Sequence, residues 1–220
     1  YYFIFSSFLF ETKKDKKKGI DIPISVIVCA KNEAKNLQNF LPSILNQEYP
    51  NFEVILIDDA SSDETADVMA SFKEKHDNIK IISVENIEAF WGNKKYALTL
   101  GIKGAKNEHL LFTDADCKPV SKNWISEMAQ NFTKEKTIIL GYGKYKKEAS
   151  LVNLFVRFET LLTAIQYLSY AKLGVPYMGV GRNLAYHRSE FFNVKGFINH
   201  IHIKSGDDDL FIQDAATKEN

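Results

Sequence analysis

Four short runs rich in β-branched residues recur along the first half of the chain. Each stops at polar residues and is followed by a segment with helical spacing. Ile24 to Ala30 (ISVIVCA) and Phe52 to Ile57 (FEVILI) carry too few polar positions to be half-solvated strands, and Ile79 to Val84 (IKIISV) and His109 to Thr113 (HLLFT) read as a third and a fourth strand. Near-continuous apolar runs of this length suit strands covered on both faces. After the first run, Asn32 is placed to cap a helix carrying Leu37, Leu41, Ile44 and Leu45, which ends by Tyr49-Pro50. After the second, Ser61 and Glu64 have capping-box spacing ahead of Val68, Met69 and Phe72. Gly92 to Gly104 reads as a helix with Ala97, Leu100 and Gly104 near one face, the glycine allowing close approach to a sheet. Trp124 to Phe132 reads as helix and Thr137 to Leu140 as strand. Strands alternating with helices predict an α/β fold with a mostly parallel, Rossmann-like sheet flanked by helices.

The 220 residues, 45% of them hydrophobic, suffice for one well-packed domain. Lys and Arg together number 28, as do Asp and Glu. No net field therefore argues for a nucleic-acid partner. The two cysteines, Cys29 and Cys117, read as reduced thiols rather than a disulfide framework. Tyr1 to Phe10 is almost wholly apolar or aromatic and is followed by Lys13, Lys14, Lys16, Lys17 and Lys18. Ten residues cannot span a bilayer, but an apolar end followed by lysines has the pattern of the cytoplasmic flank of a membrane helix. Residues 1–18 are therefore expected to be the end of a membrane anchor plus a basic linker, with a soluble strand or helix as the alternative. The domain is expected over 19–220, on the cytoplasmic side of the membrane. The start without Met and the stop at Asn220 predict a fragment truncated at its C-terminus.

Ser150 to Tyr170 carries Leu151, Leu154, Phe155, Phe158, Leu161, Leu162, Ile165 and Leu168, a broad apolar stripe. Packing against a core or domain is the expectation; a helix lying on a membrane interface is the alternative.

In open α/β sheets, ligands bind beyond the carboxyl ends of the strands. Lys31-Asn32-Glu33 follows the first run, Asp58-Asp59 the second and Asp114-Ala115-Asp116 the fourth. A single aspartate at such a place commonly caps a helix or turns the chain. Carboxylates gathered from three strand ends repel one another unless a cation or ligand donors relieve them. Asp114-x-Asp116 can hold Mg²⁺ or Mn²⁺ against a diphosphate, since such ions take one or two carboxylates and complete their shell with water and phosphate. D-x-D alone is a weak signal.

ISVIVCAKNEAKNL, VILIDDASSDET, GNKKYAL (Gly92 to Leu98) and LLFTDADC, in this order, resemble successive motifs of the family 2 glycosyltransferases, which have a GT-A fold, in their membrane-associated bacterial form. The resemblance spans Ile24 to about Cys117 and extends more loosely to Gln213. It implies a nucleotide half through about residue 117 and an acceptor half after it. It implies that Ala30, Asn32 and Glu33 line the nucleotide pocket. Asp58 would accept a hydrogen bond from the base, with Asp59 and Ser61 nearby, and Lys94 would lie near the nucleotide. Asp114 would contact ribose or metal, and Asp116 would ligate the metal. Taken alone, Lys94 reads as a solvated helix residue.

Ser205-Gly206-Asp207-Asp208-Asp209-Leu210 reads on its own as an acidic turn ahead of a helix. The resemblance places the catalytic base here, with Asp standing where the family has Glu. Anchoring on Asp209-Leu210 selects Asp207; matching the doublet after Gly206 selects Asp208, which ranks marginally first. Met178 to Arg188 (MGVGRNLAYHR) is expected to form a tight loop. Within it, Arg182 is a candidate for phosphate charge and Asn183 for a sugar hydroxyl, with surface ion pairing the plain alternative for Arg182 and Arg188. His187, His200 and His202 fit no zinc spacing. Trp91 is placed either to stack on an acceptor ring or to be a half-buried aromatic.

The expected activity is metal-assisted transfer of a sugar, with inversion, from a nucleotide-sugar donor, a UDP-sugar first, to a hydroxyl on a saccharide or lipid-linked acceptor. The rivals are a nucleotidyltransferase and a non-catalytic carbohydrate-binding or assembly subunit. The loop after the first run lacks the glycines that a nucleotidyltransferase needs there.

Overall fold

A computed structural model describes residues 21–85 and 94–220. The predicted strands form: β1 (Ile24–Ala30), β2 (Phe52–Asp58), β3 (Ile79–Ser83), β4 (His109–Asp114) and β5 (Ile138–Leu140), with a further strand β6 (Leu184–His187). The helices are α1 (Ala34–Leu45), α2 (Thr65–Lys73), α3 (Lys94–Gly104), α4 (Trp124–Ala129), α5 (Leu151–Lys172), α6 (Arg188–Asn193) and α7 (Asp209–Ala215). The sheet order is β3-β2-β1-β4-β6-β5. The first four strands are mutually parallel; β6 runs antiparallel to both β4 and β5. Its four residues follow a short 3-10 turn at Gly181–Asn183, so the tight-loop expectation holds only for the first part of that segment.

β1 lies at the centre and shows why its run is apolar throughout. Val26 and Val28 pack with Leu37, Leu41 and Ile44 of α1, Met69 of α2 and Ile125 of α4 on one face. Ile27 packs with Ala97, Leu98 and Ile102 of α3 and with Phe211 and Ile212 of α7 on the other. Each fully buried aliphatic side chain of this kind contributes roughly 1.5–3 kcal/mol relative to exposure. α3 seats closely on the sheet, as expected of a glycine-bearing face: a Cβ on Gly104 would stand 2.5 Å from Ile82 Cδ1, and one on Gly101 only 2.2 Å from Ile57 Cδ1.

Three local expectations are corrected. Asn32 does not cap α1. It takes a positive φ of 57°, and Glu33 is the residue flanking the helix. The open amides at this helix start are met from the segment that enters α2: Glu33 N donates to Thr65 Oγ1 at 2.8 Å and Ala34 N to Asp63 Oδ2 at 3.4 Å. Ser61 and Glu64 do not form a capping box. Glu64 flanks α2 without a side-chain cap, while Ser61 Oγ accepts from Asn32 N at 2.9 Å. Finally, α5 is not a core helix. Only Thr160, Ala164, Tyr167 and Ser169 of α5 are buried, and Phe155 and Phe158 are 69% and 64% exposed. Its apolar stripe is wider than the small face that meets Val180, Leu140 and Met178. α5 is long and apolar enough to cross a membrane by length and composition.

Candidate active site

The parallel strands all deliver their carboxyl ends to one edge, where register fixes the spacing of the acidic groups. Ala30 pairs with Asp58 across one side of β1, and Cys29 with Asp114 across the other. Neighbouring strands are about 4.8 Å apart, so the two aspartates flank β1 one residue out of step, on opposite faces of the sheet at its carboxyl edge. The loops beyond β1 and β2 are laced together. Asp59 N donates to Ala30 O at 2.8 Å, Ser62 N to Asn32 Oδ1 at 2.8 Å, and Ser61 N to Asp58 Oδ1 at 3.0 Å. Asp58 and Asp59 are both buried, and Lys31 Nζ lies 3.8 Å from Asp59 Oδ2. Glu33 turns to its own helix, its Oε2 accepting from Asn36 Nδ2 at 2.6 Å.

On the other side of β1, a cavity is lined by Cys29, Lys94, Asp114, Gly181, Asp207 and Asp208 among other residues. Lys94, the first described residue of α3, places its ammonium 3.1 Å from Asp114 Oδ1 and 3.4 Å from Asp207 Oδ2. Burial opposes that charge, but the two carboxylates outweigh it and raise the Lys94 pKa. A half-buried lysine kept cationic between two acids is a ready partner for phosphate oxygens. The reading of Lys94 as a plain solvated residue is thereby corrected. Cys29 is its neutral counterpart: burial pushes its thiol up to about 12, with Lys94 opposing and Asp59, Asp207 and Asp114 adding. It is no thiolate nucleophile.

The acidic doublet divides by partner. Asp207 faces Lys94. Asp208 is pinned by two main-chain donors: Gly181 N donates to its Oδ2 at 2.7 Å and Asp209 N to its Oδ1 at 2.9 Å. The Gly181 amide is a site element that sequence reasoning missed; no local pattern announces a backbone donor.

Asp116 is exposed at the rim, outside the cavity lining. Its carboxylate, that of Asp114 and the Cys117 thiol nevertheless place one potential ligand atom each within 4.8 Å of one another. Burial, then Asp116 and Asp114, push the Cys117 thiol up to about 12, and its Sγ donates to Asp116 Oδ1 at 3.4 Å. Two carboxylate oxygens suit a hard cation such as Mg²⁺ or Mn²⁺; a protonated thiol does not.

Arg182 and Asn183 are held away from the carboxylates. Arg182 Nε donates to Gly143 O at 2.9 Å, with the guanidinium over the Tyr145 ring. Asn183 Oδ1 accepts from Trp124 Nε1 at 2.9 Å, and its Nδ2 donates to Tyr142 O at 3.2 Å. Arg188 pairs with Glu108 and donates to Ala105 O, the plain surface role. His200 pairs with Asp214 at 2.9 Å, and His187 Nδ1 bonds Ser189 Oγ at 2.7 Å. Trp91 and Gly92 lie outside the described residues.

With this geometry in hand, comparison with known proteins is direct. The model of the family described as Glycosyl transferase family 2 matches residues 25–191. The chain is 32% identical over 160 residues to a poly-beta-1,6-N-acetyl-D-glucosamine synthase of Staphylococcus epidermidis, covering 66% of this chain and 37% of that protein. It is 31% identical over 163 residues to a dolichyl N-acetyl-alpha-D-glucosaminyl phosphate 3-beta-D-2,3-diacetamido-2,3-dideoxy-beta-D-glucuronosyltransferase of Methanococcus voltae, covering 69% of this chain and 49% of that protein. The chain thus spans less than half the length of these relatives. Among solved structures, a mannosyltransferase from Pyrobaculum calidifontis, in complex with GDP-Man and Mn²⁺, aligns with a TM-score of 0.73 at 19% identity, over 99% of this chain and 60% of that one. TarS of S. aureus, in complex with UDP-GlcNAc, aligns at 0.60 and 21% identity, over 90% and 54%. These structural likenesses show a shared GT-A fold. With the family match over most of its length, the chain belongs to glycosyltransferase family 2.

Proposed function

We propose that this domain transfers a sugar from a nucleotide-sugar donor to an acceptor hydroxyl by single displacement with inversion. The observation that carries this reading is the cavity at the carboxyl ends of β1 and β4, where a cationic Lys94 stands between Asp114 and Asp207, with Asp208 beside them. The laced loops with Ala30, Asn32, Glu33, Asp58 and Asp59 form the nucleotide side, and the half after residue 117 the acceptor side. Asp58 accepts from the base, a uracil N–H in a UDP-sugar. Lys94 pairs with the diphosphate and stabilises the charge it gains on leaving. Asp114 and Asp116 supply oxygen ligands for Mg²⁺ or Mn²⁺, which when bound adds positive charge at the same diphosphate. Asp208 takes the proton from the acceptor hydroxyl as its oxygen attacks the anomeric carbon, with Asp207 the other candidate. The two main-chain donors that orient Asp208, one of them from Gly181 on the acceptor side, support this order.

The test is incubation of the full-length polypeptide with a panel of UDP- and GDP-sugars, with and without Mn²⁺. Release of nucleoside diphosphate is expected, greatest with a UDP-sugar and lost in Asp116→Asn. Pyrophosphate release from a nucleoside triphosphate would identify nucleotidyl transfer instead, and sugar binding without turnover a non-catalytic subunit. The Methanococcus voltae transferase is named for a dolichyl phosphate-linked sugar and the Staphylococcus epidermidis synthase for a polysaccharide, and we extend a saccharide or lipid-linked acceptor to this chain. The bare apolar face of α5 supports association with a membrane, and the lysines that follow Tyr1 to Phe10 support its cytoplasmic side. Flotation with liposomes checks this: Phe155→Gln with Phe158→Gln should reduce binding while leaving Tm unchanged, and equal flotation would count against a membrane role for α5.

A further inference from the structure

Lys95 is the most deeply buried charged side chain among the described residues, at 1% exposure in the first turn of α3. Its neighbour Lys94 points to carboxylates. The Lys95 ammonium instead donates to two main-chain carbonyls, Ile203 O at 2.6 Å and Ser205 O at 2.5 Å. These carbonyls belong to the loop that runs through Gly206, at a φ of +76°, into Asp207 and Asp208. Neutral carbonyls repay only part of the cost of burying an ammonium. Burial accordingly pulls the Lys95 pKa down, while the fields of Asp207 and Asp208 work to restore it. A methionine would fill the same space without that cost. The residue present is one that ties a loop, and the loop carries both candidate bases.

Resting on the transferase reading above, we infer that Lys95 is a positioning residue for the acceptor-side carboxylates: by gripping the carbonyls of Ile203 and Ser205 it sets where Asp207 and Asp208 enter the cavity. One helical turn then fixes two things at once. Lys94 holds the diphosphate side, and Lys95 the approach of the base.

The experiment compares Lys95→Met and Lys95→Gln with wild type in the full-length protein. It measures donor binding by calorimetry, steady-state kinetics with a UDP-sugar and acceptor, Tm, and amide exchange. In whichever variant folds, kcat should fall on the order of 10²-fold through misplacement of the base, while the dissociation constant for the donor stays within about threefold. The fall in kcat should exceed any fraction lost to unfolding. Amide exchange across 203–208 should accelerate while β1 and β4 keep their protection. Unchanged kcat in a folded variant, or donor affinity falling in step with kcat, overturns the inference. Unchanged exchange across 203–208 overturns it too. If wild type itself transfers no sugar, the transferase reading fails; the exchange measurement still decides whether Lys95 holds the loop.

Discussion

The Lys94 ammonium lies 3.4 Å from Asp207 Oδ2 and so joins the start of α3 to the loop ahead of α7. The contact brings together residues far apart in the chain at the place proposed above for the diphosphate. Lys94→Met should therefore weaken donor binding and lower kcat/KM by about 10²–10³-fold, the range for losing one preorganised donor to a developing anion. Calorimetry and initial rates check this. A variant that keeps full activity would remove Lys94 from the donor site.

Gly101 carries a packing prediction. A Cβ there meets Ile57 Cδ1 at 2.2 Å, and Ile57 is wholly buried, so its terminal methyl must shift within the packed core. Overpacking costs about 1–3 kcal/mol, and the better helix propensity of alanine returns at most about 1 kcal/mol. Gly101→Ala should thus lower the midpoint of chemical denaturation by a net amount on the order of 1 kcal/mol. A rise in stability would mean that α3 stands off the sheet.

Tyr167 is the one buried aromatic of α5, and its hydroxyl donates to Gly141 O at 2.6 Å. That bond ties α5 to the segment leaving β5. Tyr167→Phe keeps the ring but orphans the carbonyl, at a cost of about 1 kcal/mol. A thermal melt that shifts down by a few degrees is expected; an unshifted one would show that water serves the carbonyl equally well.

Asp209 predicts a pH effect. Burial, then Asp208, raise its pKa above the ordinary 3.8, against a main-chain bond from Gly179, and its Oδ1 is buried without a hydrogen-bond partner. A raised folded pKa means that the group's contribution is fully present below the unfolded value and is lost as pH rises through the folded one. Asp209→Asn should then melt higher than wild type at pH 7, with the difference shrinking on acidification and vanishing below about pH 4. Melts across that range check the sign. A constant difference would trace the change to packing instead.

Much of the sheet is legible in the chain because β1, β2 and β4 are apolar on both faces and polar residues, acids among them, stand at their carboxyl ends. The fold class and the edge of the sheet that holds the site follow from that pattern. Asn32 shows where such reading stops. Its role as a helix cap is a local inference, but the amides at the start of α1 are satisfied by Asp63 and by Thr65 at the start of α2. That frees Asn32 to take a positive φ and accept from Ser62. The stripe on α5 failed for a related reason: an apolar face states that something covers it, not what. Arg182 and Asn183 drew notice as polar residues beside glycines, yet their nearest partners are carbonyls and Trp124, contacts with no signature in sequence. Lys95 escaped because a lysine beside a lysine looks like solvent-facing charge.

The antiparallel course of β6 has a consequence for how such a fold diversifies. A parallel strand reaches the cleft only after it has paired, so whatever it delivers is bound to the register behind it. β6 arrives from the opposite direction: Leu184 pairs with Phe112 near the cleft, and Gly181 meets Asp208 before pairing begins. The long excursion upstream of Gly181 can therefore grow, shrink or be exchanged without sliding a single rung of the ladder. Under the function proposed above, acceptor preference would drift through that excursion while the half proposed to hold the nucleotide stays as it is.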